Sequence, residues 1–221
     1  MDWEAIRLSL RLAGCSVALL LPIGILLAWP LALGRFRGKV LLEALTSLPL
    51  ILPPTVLGFY IIVALGPRSP IGAAWEHLTG ARLVFSFQGL LLAQVATNLP
   101  FFLQPLVASL GGVDRRLLEV AATLGSRPLG VYLRVALPLA WRGLLSAMIL
   151  SFAHAIGEFG VVLMVGGNLP GTTRTASIAL FDQVQAFDMA GANRTALLLL
   201  AFALAVLSGT AWLRSRERPW A

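Results

Sequence analysis

Residues 114–138 read "DRRLLEVAATLGSRPLGVYLRVALP", and here the chain departs from a simple succession of apolar runs. Asp114 carries the side chain of a helix N-cap, and Gly125 has the freedom needed for the left-handed residue that follows a helix end. Between them Leu117, Val120, Ala121 and Leu124 fall at i, i+3, i+4 and i+7, an apolar stripe with Arg115 and Glu119 toward its flanks. Ser126 is placed to cap a second helix with Pro128 in its first turn, and Leu137 and Pro138 to end it. The spacing predicts two short helices joined at a glycine turn. A helix of about ten residues is marginal alone in water, so the first is expected to rest on a partner surface.

On either side the chain is strongly apolar. Of 221 residues 58% are hydrophobic and only 12% charged, against roughly 25% charged in a soluble domain. Five stretches, at 9–33, 40–66, 83–110, 143–167 and 195–213, have about the 20 mostly apolar residues a membrane span needs. The expected fold is an all-α integral membrane protein of five transmembrane helices in a single domain, 1–221, with 111–142 as a structured loop between the third and fourth spans. Arg7 and Arg11 precede the first stretch as in a signal peptide. Its length, the lack of an A-x-A-like exit and the basic "GRFRGK" that follows favour a retained anchor.

Orientation follows from the basic residues. With the N-terminus outside, the inner side holds Arg35, Arg37, Lys39, Arg115, Arg116, Arg127, Arg134, Arg142, Arg214, Arg216 and Arg218. The outer side holds Arg7, Arg11, Arg68, Arg82, Arg174 and Arg194. Eleven against six sets the expectation N-out, C-in. The net charge of +7 is dispersed between apolar runs rather than gathered with aromatics, which speaks against nucleic-acid binding. Cys15 is the only cysteine, so no internal disulfide or CxxC site exists.

The second and third spans are not expected to be simple cylinders, and several residues in the spans are out of place for plain lipid-facing helices. "LPLILPPTVLG" (48–58) carries Pro49, Pro53 and Pro54, each lacking an N–H. The third span holds Gln94, Thr97, Asn98 and Gln104 with Pro100 and Pro105. Such groups either line a pathway or bond between helices, and both readings stand. "SFAHAIGEFG" (151–160) puts His154 and Glu158 four apart, on one face of a helix. Two ligands without a third make a poor metal site, so no metal is expected. Glu158 is read as held by hydrogen bonds at a helix or dimer contact, or as a gate element, with His154 an auxiliary polar contact. Gly157 and Gly160 are expected to allow close backbone approach. Pro53, Pro54, Asn98, His154 and Glu158 are therefore the gate or packing candidates. In the outer loop 168–194, Ile178, Phe181, Val184 and Phe187 recur every three residues, suggesting a short interfacial helix. No HExxH, GxSxG or P-loop motif occurs, so neither an intramembrane hydrolase nor direct ATP binding is indicated.

"EVAATLG", nine residues, then "VALP" resembles the EAA loop of the membrane subunits of ABC importers, on Glu119, Ala121, Ala122, Gly125, Val135, Leu137 and Pro138. That resemblance implies a loop that docks into a cleft on a cytoplasmic ATPase. "LPLILPPTVLGFYIIVALG" (48–66) and "GEFGVVLMVGGNLPGTTRT" (157–175) resemble molybdate importer permeases, with tungstate and sulfate or thiosulfate permeases as relatives. The resemblance implies a multi-pass protein of the cytoplasmic (inner) membrane, acting as a homodimer. It implies two ABC ATPase subunits and a periplasmic or other extracytoplasmic oxyanion-binding protein as partners. The chain would then be no enzyme and hold no cofactor, with ATP and Mg on the partner ATPase. Asn168, Arg174 and Arg194 are candidates for the outer mouth or for contact with the binding protein. A non-ABC transporter or a structural membrane protein are the more distant alternatives.

Overall fold

The structure is a computed structural model that describes residues 2–34 and 36–215. Arg35, Arg216 and Arg218, counted above for topology, lie outside the described residues, as does the side chain of Arg214. Every regular element among the described residues is helical.

The first helix, α1 (Trp3–Leu33), starts at Asp2, whose carboxylate accepts the Ala5 N–H at 3.0 Å. Its 31 residues span roughly 46 Å at 1.5 Å per residue, more than the hydrocarbon core of about 30 Å. It runs through Pro22 and Pro30 and ends where the Gly34 N–H returns to the Pro30 carbonyl.

The expected second span, 40–66, is not one rod. It forms α2 (Lys39–Ile51) and α3 (Pro54–Leu65), bent by 115° at Leu52 and Pro53. Neither Pro53 nor Pro54 has an N–H, and a residue before proline is pushed out of the helical region. Leu52 (φ −69°, ψ 137°) and Pro53 (φ −54°, ψ 137°) are extended accordingly. A short helix that sequence did not anticipate follows, α4 (Pro70–Thr79), capped by the Ser69 hydroxyl and closed by Gly80 at φ +70°.

The middle of the fold is α5 (Phe87–Gly111), which passes Pro100 and Pro105 without breaking and packs between α1 and α9 (Trp141–Gly157). Their shared core gathers Leu20, Phe102, Leu106, Tyr132, Ala136 and Ala147. Glycine permits two of the closest approaches: a Cβ at Gly24 would overlap the Phe102 ring, and one at Gly143 the Ser109 side chain.

Between α5 and α9 lies the stretch that opened the sequence analysis. Asp114 caps α6 (Arg115–Thr123), its carboxylate accepting the Arg116 N–H at 2.9 Å. Gly125 is left-handed at φ +86°. Its N–H donates to the Ala122 carbonyl and that of Ser126 to Ala121, the paired closure of a Schellman motif. Ser126 thus finishes the first helix instead of capping the second, which begins at Arg127 with Pro128 in its first turn. Nor do Leu137 and Pro138 end the second arm. It runs from α7 (Pro128–Val131) through a turn of π-helix (Tyr132–Ala136) into α8 (Leu137–Leu139), and breaks only at Ala140. In the π turn the Leu137 N–H returns to Tyr132, five residues back, and the widened turn carries the helix past the proline. From there α9 departs at 74°.

The expected fourth span, 143–167, is also two helices, α9 and α10 (Gly160–Gly166), parted at Glu158 and Phe159. Two more follow, α11 (Ala176–Gln185) and α12 (Met189–Ser215). Among the described residues three helices, α1, α5 and α12, are long and apolar enough to cross a membrane singly, and up to five spans result if α2 with α3, and the arm Pro128–Leu139 with α9, each count as one. On α12, Leu197, Leu200, Leu204 and Leu207 all face outward and are more than half exposed, as a lipid-facing surface requires.

Gly157, unlike Gly143, meets nothing within 4 Å, so its expected close approach is absent, whereas a Cβ on Gly160 would come within 2.7 Å of Pro54. Gly143→Ala should therefore lose about 1–3 kcal/mol by overpacking, while Gly157→Ala should stay within about 0.5 kcal/mol of the parent. Thermal unfolding of both variants in detergent measures the difference.

Candidate functional site

The break between α9 and α10 opens backbone groups inside the bundle, and polar side chains from α5, from α11 (Ala176–Gln185) and from the break itself meet them. Gln94 on α5 donates from Nε2 to the Ala155 carbonyl at 3.0 Å. Ser177 on α11 donates to the Glu158 carbonyl at 2.6 Å. The Glu158 carboxylate accepts the Val161 N–H at 3.2 Å, capping the first turn of α10. Glu158 itself is extended (φ −63°, ψ 130°), past the end of α9. It and His154 therefore do not share a helical face as their spacing suggested, although His154 Nε2 still lies 3.8 Å from a Glu158 oxygen.

His154 is held from two other directions. Its ring stacks on Phe101 with centroids 3.7 Å apart, and its Nδ1 lies 2.9 Å from Asn98 Oδ1. Asn98 is fully buried and donates from Nδ2 to the Gln94 carbonyl, which leaves Oδ1 as the acceptor and assigns the His154 proton to Nδ1. Pro54 rests against Gly160, so the first turn of α3 seats on the start of α10. Asn98, His154, Glu158, Pro54 and the adjoining Pro53 are thus assembled around one helix break. Among the described residues, no three His, Cys, Asp or Glu side chains are grouped to hold a metal.

The outer-mouth candidates divide. Arg174 donates from Nε to Asn168 Oδ1 at 2.7 Å and lies 3.5 Å from Asp182 and 3.9 Å from Asp2. Asn168 in turn donates to both Asp182 oxygens, at 2.7 and 2.8 Å. This cluster ties the start of α1 to the 167–175 loop and to α11, and leaves the guanidinium facing two carboxylates. Arg194, on the first turns of α12, is exposed and does not join it. The short helix expected in this loop is α11, whose Ile178 is fully buried.

In the 111–142 loop, Glu119, Ala122 and Pro138 are exposed, while Ala121 and Leu137 are partly buried. The apolar stripe of α6 has no cover among the described residues: Leu117, Val120 and Leu124 are 48%, 57% and 81% exposed. In the second arm Val131, Tyr132, Ala136 and Ala140 are buried in the main core. The loop is one exposed apolar helix on a rigidly anchored support.

Comparison with known proteins gives this arrangement its family. A model of the inner membrane component of binding-protein-dependent transport systems matches residues 21–218. The chain belongs to that family. Within this transport-system family it is 47% identical over 206 residues to the molybdenum transport system permease protein ModB of Azotobacter vinelandii, covering 93% of this chain and 91% of that one. It is 36% identical over 220 residues to ModB of Escherichia coli K12, covering 98% and 96%. A bacterial ABC transporter involved in alginate import superposes with a TM-score of 0.74 over 97% of this chain and 79% of that one, at 16% identity, a likeness of fold. As a permease of this family the chain is a non-catalytic inner-membrane subunit.

Sequence reasoning did not single out Tyr132, Ser177 or Asp182. Each acts through a partner in another element, and no local pattern marks it. Glu158→Gln keeps an acceptor for the Val161 N–H and should unfold like the parent. Glu158→Ala removes that cap and should lose about 1 kcal/mol, read as a lower unfolding midpoint in detergent.

Proposed function

We propose that this chain is the membrane-spanning permease subunit of an ABC importer for molybdate, crossing the cytoplasmic membrane five times with its N-terminus outside. The observation that carries the reading is the 111–142 loop, an uncovered apolar helix on a buried arm, in a chain 47% identical to a molybdenum permease. A partner ATPase covers α6, with Leu117, Val120 and Leu124 buried in its cleft and Glu119 and the neighbouring arginines at the rim. Gly125, Leu137 and Pro138 hold the geometry of that docking element. ATP and Mg bind the partner, two copies of which serve a homodimer of this chain. An oxyanion-binding protein delivers cargo on the outer side, where Asn168, Arg174 and Arg194 lie.

The conduit requires a path that a tetrahedral dianion leaves as readily as it enters, since tight binding would halt transport. No Lys or Arg occupies the middle of the expected spans, which suits weak binding and leaves selectivity to the delivering protein. The gate is assigned to the break where α3, α5, α9 and α10 meet. There a two-residue non-helical segment, the extended Glu158 followed by Phe159, lets α10 and α3 shift relative to α9 without tearing a continuous helix.

Two measurements test this. Gly125→Val forces a β-branched residue into a left-handed conformation, a strain of about 1–3 kcal/mol, and should weaken ATPase co-purification about tenfold while membrane insertion is unchanged. Cells carrying the chain with its ATPase should take up molybdate in preference to tungstate and sulfate. Preference for sulfate would move the substrate to that branch of the family, and uptake indifferent to the chain would refute a permease role.

A further inference from the structure

One buried side chain joins the docking loop to the first membrane helix. Tyr132 is 1% exposed, although it belongs to the loop 111–142. Its hydroxyl donates to the Ile25 carbonyl at 2.6 Å, across 107 residues of sequence. Its ring stacks on Trp29, with centroids 5.9 Å apart and planes 16° from parallel. Ile25 and Trp29 lie between Pro22 and Pro30, in the part of α1 where two N–H groups are missing and the helix is most easily bent. On the loop side Tyr132 opens the π turn, Tyr132–Ala136.

The neighbours of Tyr132 in the arm, Val131, Ala136 and Ala140, are buried through apolar contact. Such contact is non-directional and tolerates small slides. A buried hydrogen bond does not, because breaking it strands a phenol and a carbonyl away from water. Gly24, one residue before Ile25, sits against Phe102, so this stretch of α1 is pressed onto α5. A displacement of α6 that travels down the arm therefore reaches the proline-flanked part of α1, and through it α5, at one directional joint.

We propose that Tyr132 is a positioning residue that locks the docking loop to the proline-flanked stretch of α1, so that closure of the partner ATPase is converted into movement of the conduit. The proposal rests on the permease reading above and adds to it the residue through which coupling passes.

Tyr132→Phe removes the hydroxyl and keeps the ring. The test compares parent, Tyr132→Phe, Trp29→Phe and Trp29→Leu, each assembled with the ATPase in proteoliposomes and supplied with molybdate-loaded binding protein. ATPase retention, unfolding midpoint and ATP hydrolysed per molybdate imported are measured together. Tyr132→Phe should retain the ATPase as the parent does, yet consume at least fivefold more ATP per molybdate. Trp29→Leu should do the same, while Trp29→Phe, which keeps an aromatic stacking partner, should match the parent. An unchanged ratio in Tyr132→Phe overturns the proposal, and so does loss of assembly in step with transport, which would make the residue a core contact only. Failure of the parent itself to hold an ATPase or import molybdate would instead refute the permease reading, and the proposal with it.

Discussion

Inside an apolar bundle a backbone N–H or C=O without a partner costs several kcal/mol, and this chain interrupts its helices where water is scarce. The rest of the architecture follows from how those interruptions are closed. At the end of α9 the Ala155 carbonyl accepts a hydrogen bond from Gln94, the Glu158 carbonyl accepts one from Ser177, and the Val161 N–H in the first turn of α10 donates one to the Glu158 carboxylate. Gln94, Asn98, His154, Glu158 and Ser177 come from four segments, and their hydrogen bonds link those segments to one another. The break is therefore a junction that positions α5, α9, α10 and α11 together. Pro54, resting on Gly160, adds α3 to it.

The same constraint explains why the loop between α5 and α9 is half exposed and half buried. Its first helix closes its own ends, through Asp114 at the start and the Gly125 turn at the finish, and can stand on the surface. Its second arm is sunk in the core, where the Tyr132 hydroxyl meets the α1 backbone. An element that caps itself can present an apolar face to another protein. One that borrows its hydrogen bonds from α1 stays with α1. In this loop the two kinds of element are adjacent, the self-capped helix α6 leading directly into the buried arm.

Much of this was legible in the residues and some was not. The Asp114 cap, the apolar stripe and the left-handed Gly125 are local signals, set by side chains within a turn of the backbone they serve, and they occur where the spacing put them. The prolines at 53 and 54 announced a broken span for the same reason. Ser126 and Pro138 misled, because their usual local roles were overridden by the Schellman closure and by the π turn. The division of 143–167 into two helices had no local mark beyond two glycines. Gly157 proved to have open space around it, and the carboxylate of Glu158 does its capping only after the chain has already turned away.

The sequence by itself determined that the chain lives in a membrane, that its described residues are built from helices, and that Asp114 to Gly125 form a self-capped helix with an apolar stripe, since composition, period and spacing are properties of neighbouring residues. Tertiary structure alone decided that Arg174 faces Asp2 and Asp182, that His154 is held between Phe101 and Asn98, and that Tyr132 reaches Ile25. Those pairings join positions up to 172 residues apart (2 and 174). Only the packing of α1 and α5 with α9 and α11 brings such groups within hydrogen-bond distance, and no periodicity along the chain encodes it.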